Sequence, residues 1–346
     1  MTIFYIAGSG IKPGKTSFAS SFRTYLSKNE KKVNILKPFT FFSQSSDPDM
    51  NYLSRNNSNT NLSYEPLVLS QELEITEEMI SKVSDIIKLS SDNADHTIIE
   101  GINEFEENTS SSPIPLLIDK LNAKVILIIR GSENIDLNLI ENTISVYRNN
   151  IKLILINRTP KYMIPTVKNS FIENSQIQYY DLPIDIIPED RTMLSPSVSE
   201  IGSFLNAKFP INDDISELIE KLNTPIEYFM IGGWSLDSGI HVFSKRNNKA
   251  VIVKGDRPDL QMAALETSTS CLILTNGQEP IQYVVQHAIK KQIPILAVDE
   301  STQEIMNNIN EFPWENTEMT NIKSIQFGNL LEKYCQETSL ATILEN

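Results

Sequence analysis

The run Gly8-Ser9-Gly10-Ile11-Lys12-Pro13-Gly14-Lys15-Thr16 carries the residue types that hold a phosphate chain. Glycine is scarce, 12 residues among 346, and three of them fall in this one loop. Glycine supplies positive φ and lets the backbone approach an anion closely, and a loop that wraps a phosphate needs both. In such a loop, backbone N–H groups at Gly10, Gly14 and Ser17 and the start of the following helix hold the anion. Lys15 reaches the β and γ phosphates, and the Thr16 hydroxyl binds Mg²⁺. The chemistry these residues suit is retention of a nucleoside triphosphate with its cation.

That chemistry requires a strand before the loop and a helix after it. Residues 2–7 read as a buried strand, and Phe18, Phe22, Tyr25 and Leu26 lie at helical spacing across 14–28. In this setting the spacing predicts a P-loop, although the usual pattern puts glycine where this chain has Ser9. A Gly-rich turn without ligand is the alternative; the flanking strand, lysine, threonine and helix all oppose it. Apolar runs at 33–36, 97–99, 125–129 and 153–156 alternate with helical stretches at 77–89 and 137–148. Each run is apolar throughout, the pattern of a parallel sheet covered on both faces. Between them, residues 43–63 are rich in Ser and Asn and read as loop with one short helix. The fold class is therefore α/β, a parallel sheet with helices on both faces.

The second half starts afresh after Pro188-Glu189-Asp190. Strands are predicted at 228–231, 241–243, 250–253, 271–274 and 294–298, and helices at 197–205, 213–222, 258–266, 279–291 and 301–310. This half is a second, smaller α/β domain. The expected organisation is residues 1–209, residues 210–323, and a closing amphipathic helix within 324–346 for packing or dimerisation.

Net charge is −14, from 30 Lys+Arg against 44 Asp+Glu, which makes long nucleic acid a poor partner. A single loop of N–H groups and one lysine still holds phosphates locally. Two cysteines, Cys271 and Cys335, exclude a disulfide framework and a four-cysteine zinc site. His96, His241 and His287 are scattered without metal-ligand spacing. No apolar run approaches the roughly 18 residues of a membrane span, and no secretory signal is visible at the N-terminus. A cytoplasmic protein is expected.

With its glycine six residues before Gly14-Lys15-Thr16, the loop resembles that of dethiobiotin synthetases. It is more similar still to the dethiobiotin-synthetase-like N-terminal domain of long phosphotransacetylases. Further matches follow in order: Lys37-Pro38, Asp47-Pro48-Asp49, Pro66-Leu67-Val68-Leu69, Asp95 to Gly101, Leu153 to Asn157 and Ile186 to Arg191. Val253 to Asp259 and Leu272 to Gly277 resemble the DRTGG domain of the same enzymes. The likeness covers nearly the whole chain and stops where a roughly 300-residue acetyltransferase domain would begin, so no acetyltransferase activity is expected.

The resemblance implies ATP and Mg²⁺ as cofactors. It puts Lys15 on the phosphates, Thr16, Asp49 and Glu100 around Mg²⁺, Lys37 as a second phosphate-facing cation, and Asn157 on the nucleobase. Glu100 also fits as a loop-capping carboxylate, Lys37 as a solvated side chain, and Asn157 as a turn residue. Asp47 and Asp49 are not separated by sequence. Phe39, Phe41 and Phe42 stand where dethiobiotin synthetases carry small polar residues, so the substrate side is rewritten. In the DRTGG-like half, Gly255, Asp256, Arg257 and Thr275 lie just after strands, where such folds place ligands. There Asp256 would orient Arg257 to clamp an anion, or an Asp–Arg pair would simply brace the loop. Asn276 stands where the family usually has glycine, and Asn tolerates left-handed backbone.

Two functions follow. One is a nucleotide-dependent regulatory switch with slow hydrolysis, its second domain taking a ligand or a partner such as a separate acetyltransferase or other metabolic enzyme. The other is an ATP-dependent ligase that phosphorylates a carboxylate or carbamate and then closes an amide or ureido bond. The switch is favoured, as a homo-oligomer, in its simplest form a dimer.

Overall fold

The computed structural model describes residues 1–10, 12–27, 31–40, 47–55, 66–69, 75–91, 94–102, 113–132, 135–147, 150–173, 182–210, 220–233 and 239–344. Among the expected features, Phe41, Phe42 and most of the 213–222 helix lie outside these residues. The chain packs as two units, Met1–Asp190 with Ser324–Asn346, and Arg191–Lys323.

The first unit is built on β1 (Thr2–Ser9), β2 (Val33–Leu36), β5 (His96–Glu100), β6 (Lys124–Arg130), β7 (Ile151–Thr159) and β8 (Ile184–Pro188). They form one parallel sheet in the order β2-β5-β1-β6-β7-β8. β3 (Phe39–Thr40) and β4 (Leu67–Val68) make a separate two-stranded parallel pair. Strands β1, β5, β6 and β7 are buried almost throughout, as their unbroken apolar runs require. β1 lies at the centre, with Ile6 beside Glu100 on one side and Ile126 on the other. The chain order reverses across β1, so its carboxyl end opens at the crevice where doubly wound sheets bind ligands.

The helices described beside this sheet include α1 (Lys15–Ser27), α2 (Pro48–Arg55), α3 (Glu77–Ser91), α4 (Ile114–Leu121), α5 (Leu137–Tyr147) and α6 (Ile164–Glu173). α1 buries Phe18, Ala19, Phe22 and Leu26, and the Phe22 ring meets Phe4 of β1 edge to face at 5.2 Å. α3 opens on Glu77 and Glu78 and ends near Lys88, charges that complement the helix dipole. The expected single closing helix is two, Asn321–Tyr334 and Glu337–Leu344. At the break, the Gln336 N–H donates to Asp185 of β8 (3.4 Å). At the far end the Lys124 ammonium caps the Ile343 carbonyl (2.8 Å).

The second unit holds β9 (Tyr228–Gly232), β10 (Lys249–Lys254), β11 (Thr269–Thr275) and β12 (Ile295–Ala297), parallel in the order β12-β11-β10-β9. Val251, Val253, Leu272 and Leu274 pack with Leu260, Ala264, Val284 and Ala288 in one core. Ala250, Ile252, Cys271 and Ile273 pack with Val198, Ile201, Ile305 and Ile309 in another. Val198 and Ile201 thus belong to this unit, and the boundary falls after Asp190 rather than after residue 209. Residues 241–243, expected as strand, lie in the short helix Gly239–Phe243. Three apolar-flanked residues carry too little periodicity to separate the two states, and burial of Phe243 against the helix side of the core decides. No helix among the described residues is long and apolar enough to cross a membrane.

Lys249 is fully buried, its ammonium donating to Thr267 Oγ1 (2.9 Å) and the Ser268 carbonyl (2.8 Å). Burial pushes its pKa down from 10.5 to about 8. Between those values the unfolded chain binds more protons here than the folded one, so this group adds stability as pH rises. Lys249→Met removes that contribution. In urea unfolding the parent is expected to gain on the variant between about pH 8 and 10, and a constant difference would place the amine in a water-like setting.

Candidate functional site

The loop leaving β1 turns through left-handed backbone at Gly10 (φ +85°), Lys12 (φ +49°) and Gly14 (φ +99°). Gly14 has no room for a Cβ, because Asn157 Nδ2 occupies the place it would take. The Phe18 N–H donates to the Gly14 carbonyl (3.0 Å), so α1 starts on the loop's last glycine. Lys15 is buried at the head of α1, and Thr16 follows it.

β7 braces this loop from the neighbouring side. Its pairing with β8 shifts register between Ile156 and Thr159, and Arg158 takes φ +57°. A bulge of this kind re-aims side chains. Here Asn157 Nδ2 donates to the Pro13 carbonyl (2.8 Å) and Arg158 Nη1 to the Lys12 carbonyl (3.3 Å). The Asn157 amide expected on a nucleobase is thus buried with its N–H on the loop itself. Asn157→Ala removes a buried hydrogen bond worth about 1–2 kcal/mol. It is expected to weaken ATP and GTP alike, whereas a changed ATP-to-GTP preference, read by competition titration, would return the side chain to base reading.

The acidic side of the site gathers at the end of β5. Thr16 Oγ1 donates to Glu100 Oε1 (3.1 Å). Glu100 is buried, and its Oε2 has no hydrogen-bond partner. Lys37 Nζ lies 2.9 Å from Asp47 Oδ2, 3.5 Å from Asp49 Oδ2 and 3.7 Å from Glu100 Oε1. Burial opposes the Lys37 charge, but Glu100, Asp49 and Asp47 together hold its pKa above the usual ammonium range. Burial pushes the Glu100 carboxyl up, against the pull of Lys37 and Lys15.

The structure separates the two aspartates. Asp47 is buried and saturated: it accepts from Lys37, from Thr40 Oγ1 (2.7 Å) and from the Asp49 and Met50 N–H groups (3.0 and 3.1 Å). It is the N-cap of α2. These hydrogen bonds outweigh burial and hold its carboxyl below the usual range. The sequence carried the signal, since Asp followed by Pro is a cap with proline at the first helical position. Asp49 is 41% exposed and faces Lys37.

Among the described residues no three His, Cys, Asp or Glu side chains group closely enough to hold a metal by themselves. Mg²⁺ is ordinarily held by one or two carboxylates, waters and substrate phosphates, so this donor set fits it when a triphosphate is present. Glu100 Oε2, buried and unpartnered beside the Thr16 hydroxyl, is the atom such an ion would satisfy. Lys15, Thr16, Lys37, Asp49 and Glu100 are thus brought together, with Gly10, Gly14, Ser17 and Asn157 in or against the same loop.

In the second unit the candidates are more tightly engaged. Gly255 donates its N–H to the Thr275 carbonyl (3.3 Å), and a Cβ there would lie 2.8 Å from the Gln278 carbonyl oxygen. Arg257 pairs bidentately with Asp259 (2.9 and 2.7 Å), and the Asp256 charge also acts on its guanidinium. Thr275 Oγ1 is buried against Thr302 Oγ1 (3.1 Å). Asn276 adopts the expected left-handed backbone (φ +69°). Sequence reasoning missed Asp259, Arg158 and Gln261, whose buried amide ties the Lys254 and Gly255 carbonyls (3.0 Å each). Arg158 and Gln261 stand in no motif, and Asp259 closes the Val253–Asp259 run without a role read for it there.

Among solved structures, the chain is similar to the CBS and DRTGG domains of the regulatory region of Clostridium perfringens pyrophosphatase. The identity is 14%, over 49% of this chain and 78% of that one, with a TM-score of 0.31. It is similar to hydrogenase maturation factor HypB of Archaeoglobus fulgidus (14% identity, 54% and 81% covered, TM-score 0.35). It is also similar to FtsY of Mycoplasma mycoides (19% identity, 54% and 60% covered, TM-score 0.35), spanning about three-fifths of that protein's length. A family model for the DRTGG domain matches residues 215–312, inside the second unit. A second model, AAA_26, described as an AAA domain, matches residues 2–188, just over half of the chain. The chain therefore belongs to the AAA_26 family, a nucleotide-binding P-loop NTPase of dethiobiotin-synthetase-like type, and carries a DRTGG domain after it.

Proposed function

We propose that this protein is a regulatory switch of the phosphotransacetylase N-terminal type, in which ATP and Mg²⁺ bind the P-loop unit and the DRTGG unit answers through a ligand or partner. In this reading Lys15 and the N–H groups of Gly10, Gly14 and Ser17 hold the phosphates. Thr16, Glu100 and Asp49 hold Mg²⁺, and Lys37 keeps the carboxylates in place and offsets charge. The observation that carries it is Glu100: a buried carboxylate at the P-loop with one oxygen on Thr16 and the other without a partner. An unsatisfied buried carboxylate oxygen is costly and is retained where a cation completes it.

The DRTGG unit enters this reading through its own candidates, Gly255, Asp256, Arg257 and Thr275, with Arg257 paired to Asp259. The partner would be a separate acetyltransferase or other metabolic enzyme, and the assembly a homodimer. The ligase alternative needs an apolar substrate pocket built from Phe39, Phe41 and Phe42. Phe39 is buried in the main core instead, among Leu36, Leu69 and Ile99, which favours the switch.

Phosphate release from ATP–Mg²⁺ tests the choice. The switch predicts turnover on the order of 10⁻⁴ to 10⁻² per second, the range of a P-loop site working without external catalytic help. Faster release, or release that requires added carboxylates and amines, would make the protein a ligase.

A further inference from the structure

Two helices of the P-loop unit start at the site. α1 begins with Lys15 and Thr16, and α2 begins at its cap, Asp47, with Asp49 in its first turn. The two meet through a side-chain pair, the Tyr52 hydroxyl lying 3.1 Å from Ser20 Oγ. Ser20 comes four residues after Thr16 on α1, and Tyr52 three residues after Asp49 on α2. Residues so spaced share one face of a helix. The face of α2 that carries Asp49 is therefore the face that Tyr52 sets against α1, and it meets the face of α1 that carries Thr16. One turn back from the Tyr52–Ser20 pair, about 5 Å along either axis, Asp49 and Thr16 stand on the facing sides.

The acidic cluster agrees with this placement. Lys37 Nζ lies 3.5 Å from Asp49 Oδ2 and 3.7 Å from Glu100 Oε1, the oxygen that accepts from Thr16 Oγ1 (3.1 Å). The Asp49 charge reaches Glu100 and helps to raise its carboxyl. Asp47 alone does not fix the arrangement. It anchors the start of α2 through Lys37, Thr40 and the Asp49 and Met50 N–H groups, but an anchor at one end leaves a helix free to turn about its own axis. The Tyr52 bond is a second anchor, on the side of the helix, and it sets that rotation. Its partner Ser20 is buried and is itself held, with its Oγ 2.6 Å from Ser324 Oγ of the same unit. The bond is thus made to a fixed point where water competes little for it.

We infer that Tyr52 is a positioning residue of the cation site: its hydroxyl, bonded to Ser20, sets the rotation of α2 that presents Asp49 beside Thr16 and Glu100. The inference rests on the reading above, in which Thr16, Asp49 and Glu100 hold Mg²⁺ next to a triphosphate. Tyr52 acts through Asp49 and makes no contribution to the phosphates, so its removal is felt only when the cation is present.

ATP titrations of the full chain, with and without Mg²⁺, test it in the parent, Tyr52→Phe, Asp49→Asn and the double variant. The quantity read is the gain in ATP affinity that Mg²⁺ supplies. Tyr52→Phe keeps the ring and loses the bond. Its Mg²⁺ gain is expected to fall about fivefold, the effect of one hydrogen bond, while ATP without Mg²⁺ binds as in the parent. In the Asp49→Asn background the tyrosine substitution is expected to change nothing further, since residues that act through one another are not additive. A helix merely loosened would weaken ATP equally with and without Mg²⁺, and the two substitutions would add. Either of those results overturns the positioning role, as does an unchanged Mg²⁺ gain in Tyr52→Phe, and each leaves nucleotide binding standing. Should Tyr52→Phe fail to fold, Ser20→Ala removes the same bond from α1 and is read in the same cycle. A parent that binds no ATP, or whose ATP affinity ignores Mg²⁺, overturns the nucleotide and metal reading itself, and the positioning role falls with it.

Discussion

Lys15→Ala is expected to lower ATP affinity by about 100-fold, the loss of a charge-assisted contact worth about 3 kcal/mol. Lys15 is buried at the head of α1, while the apolar face that holds this helix in place runs through Phe18, Ala19, Phe22 and Leu26. Its removal leaves that face intact, so the unfolding midpoint is expected to stay within a few degrees of the parent's. The variant also leaves Lys37 to face Asp47, Asp49 and Glu100. Equilibrium titration alongside thermal unfolding separates loss of a ligand contact from loss of the fold. Normal affinity in a folded variant would remove the phosphates from this loop.

Glu100→Gln acts on the cation rather than the phosphates. The amide keeps an acceptor for the Thr16 hydroxyl and nearly the same volume, but the charge beside Lys37 and Lys15 is gone. Hard divalent cations bind through charged oxygen donors, so the gain in ATP affinity that Mg²⁺ supplies is expected to fall about tenfold. ATP without Mg²⁺ is expected to bind the variant as well as the parent or better, since a negative charge near the triphosphate has been removed. That opposite response is the useful part of the measurement. A variant with an unchanged Mg²⁺ requirement would move the metal away from Glu100.

The phosphate loop was legible because its chemistry is local. A buried strand, three glycines, a lysine, a threonine and a helix with Phe18 and Phe22 at its core face all stand within one short stretch of chain. The parallel sheet was legible for a related reason, since strands covered on both faces must be apolar throughout. Features set by distant contacts were not. β8 was not predicted as a strand; its Asp185 breaks the uniform apolar run and accepts from the Gln336 N–H. The same contact breaks the closing helix, which sequence periodicity carries straight through. Asn157 stands at the predicted strand end, yet the bulge at Asn157 and Arg158 turns its amide onto Pro13, and no spacing rule foretells a bulge. Arg257 has Asp256 immediately before it and Asp259 two residues on, and only the folded loop shows the bidentate pairing with Asp259.

The chain changes unit after Asp190, where the sequence starts afresh, and not at residue 209. Residues 191–205 follow the P-loop unit without a linker rich in glycine or proline, and their membership is decided by Val198 and Ile201 packing beneath β10 and β11. Likewise, the return of the chain at Ser324 is invisible until Ser20 and Ser21 are seen to hold it.

Calorimetric titration of ATP–Mg²⁺ into the full chain, run in parallel on Lys15→Ala, addresses nucleotide binding at the Gly10–Thr16 loop most directly. A single saturable site with a Kd of roughly 1–100 μM, lost in the variant, is the predicted result. No saturable heat in the parent, or the same isotherm in both proteins, would contradict it.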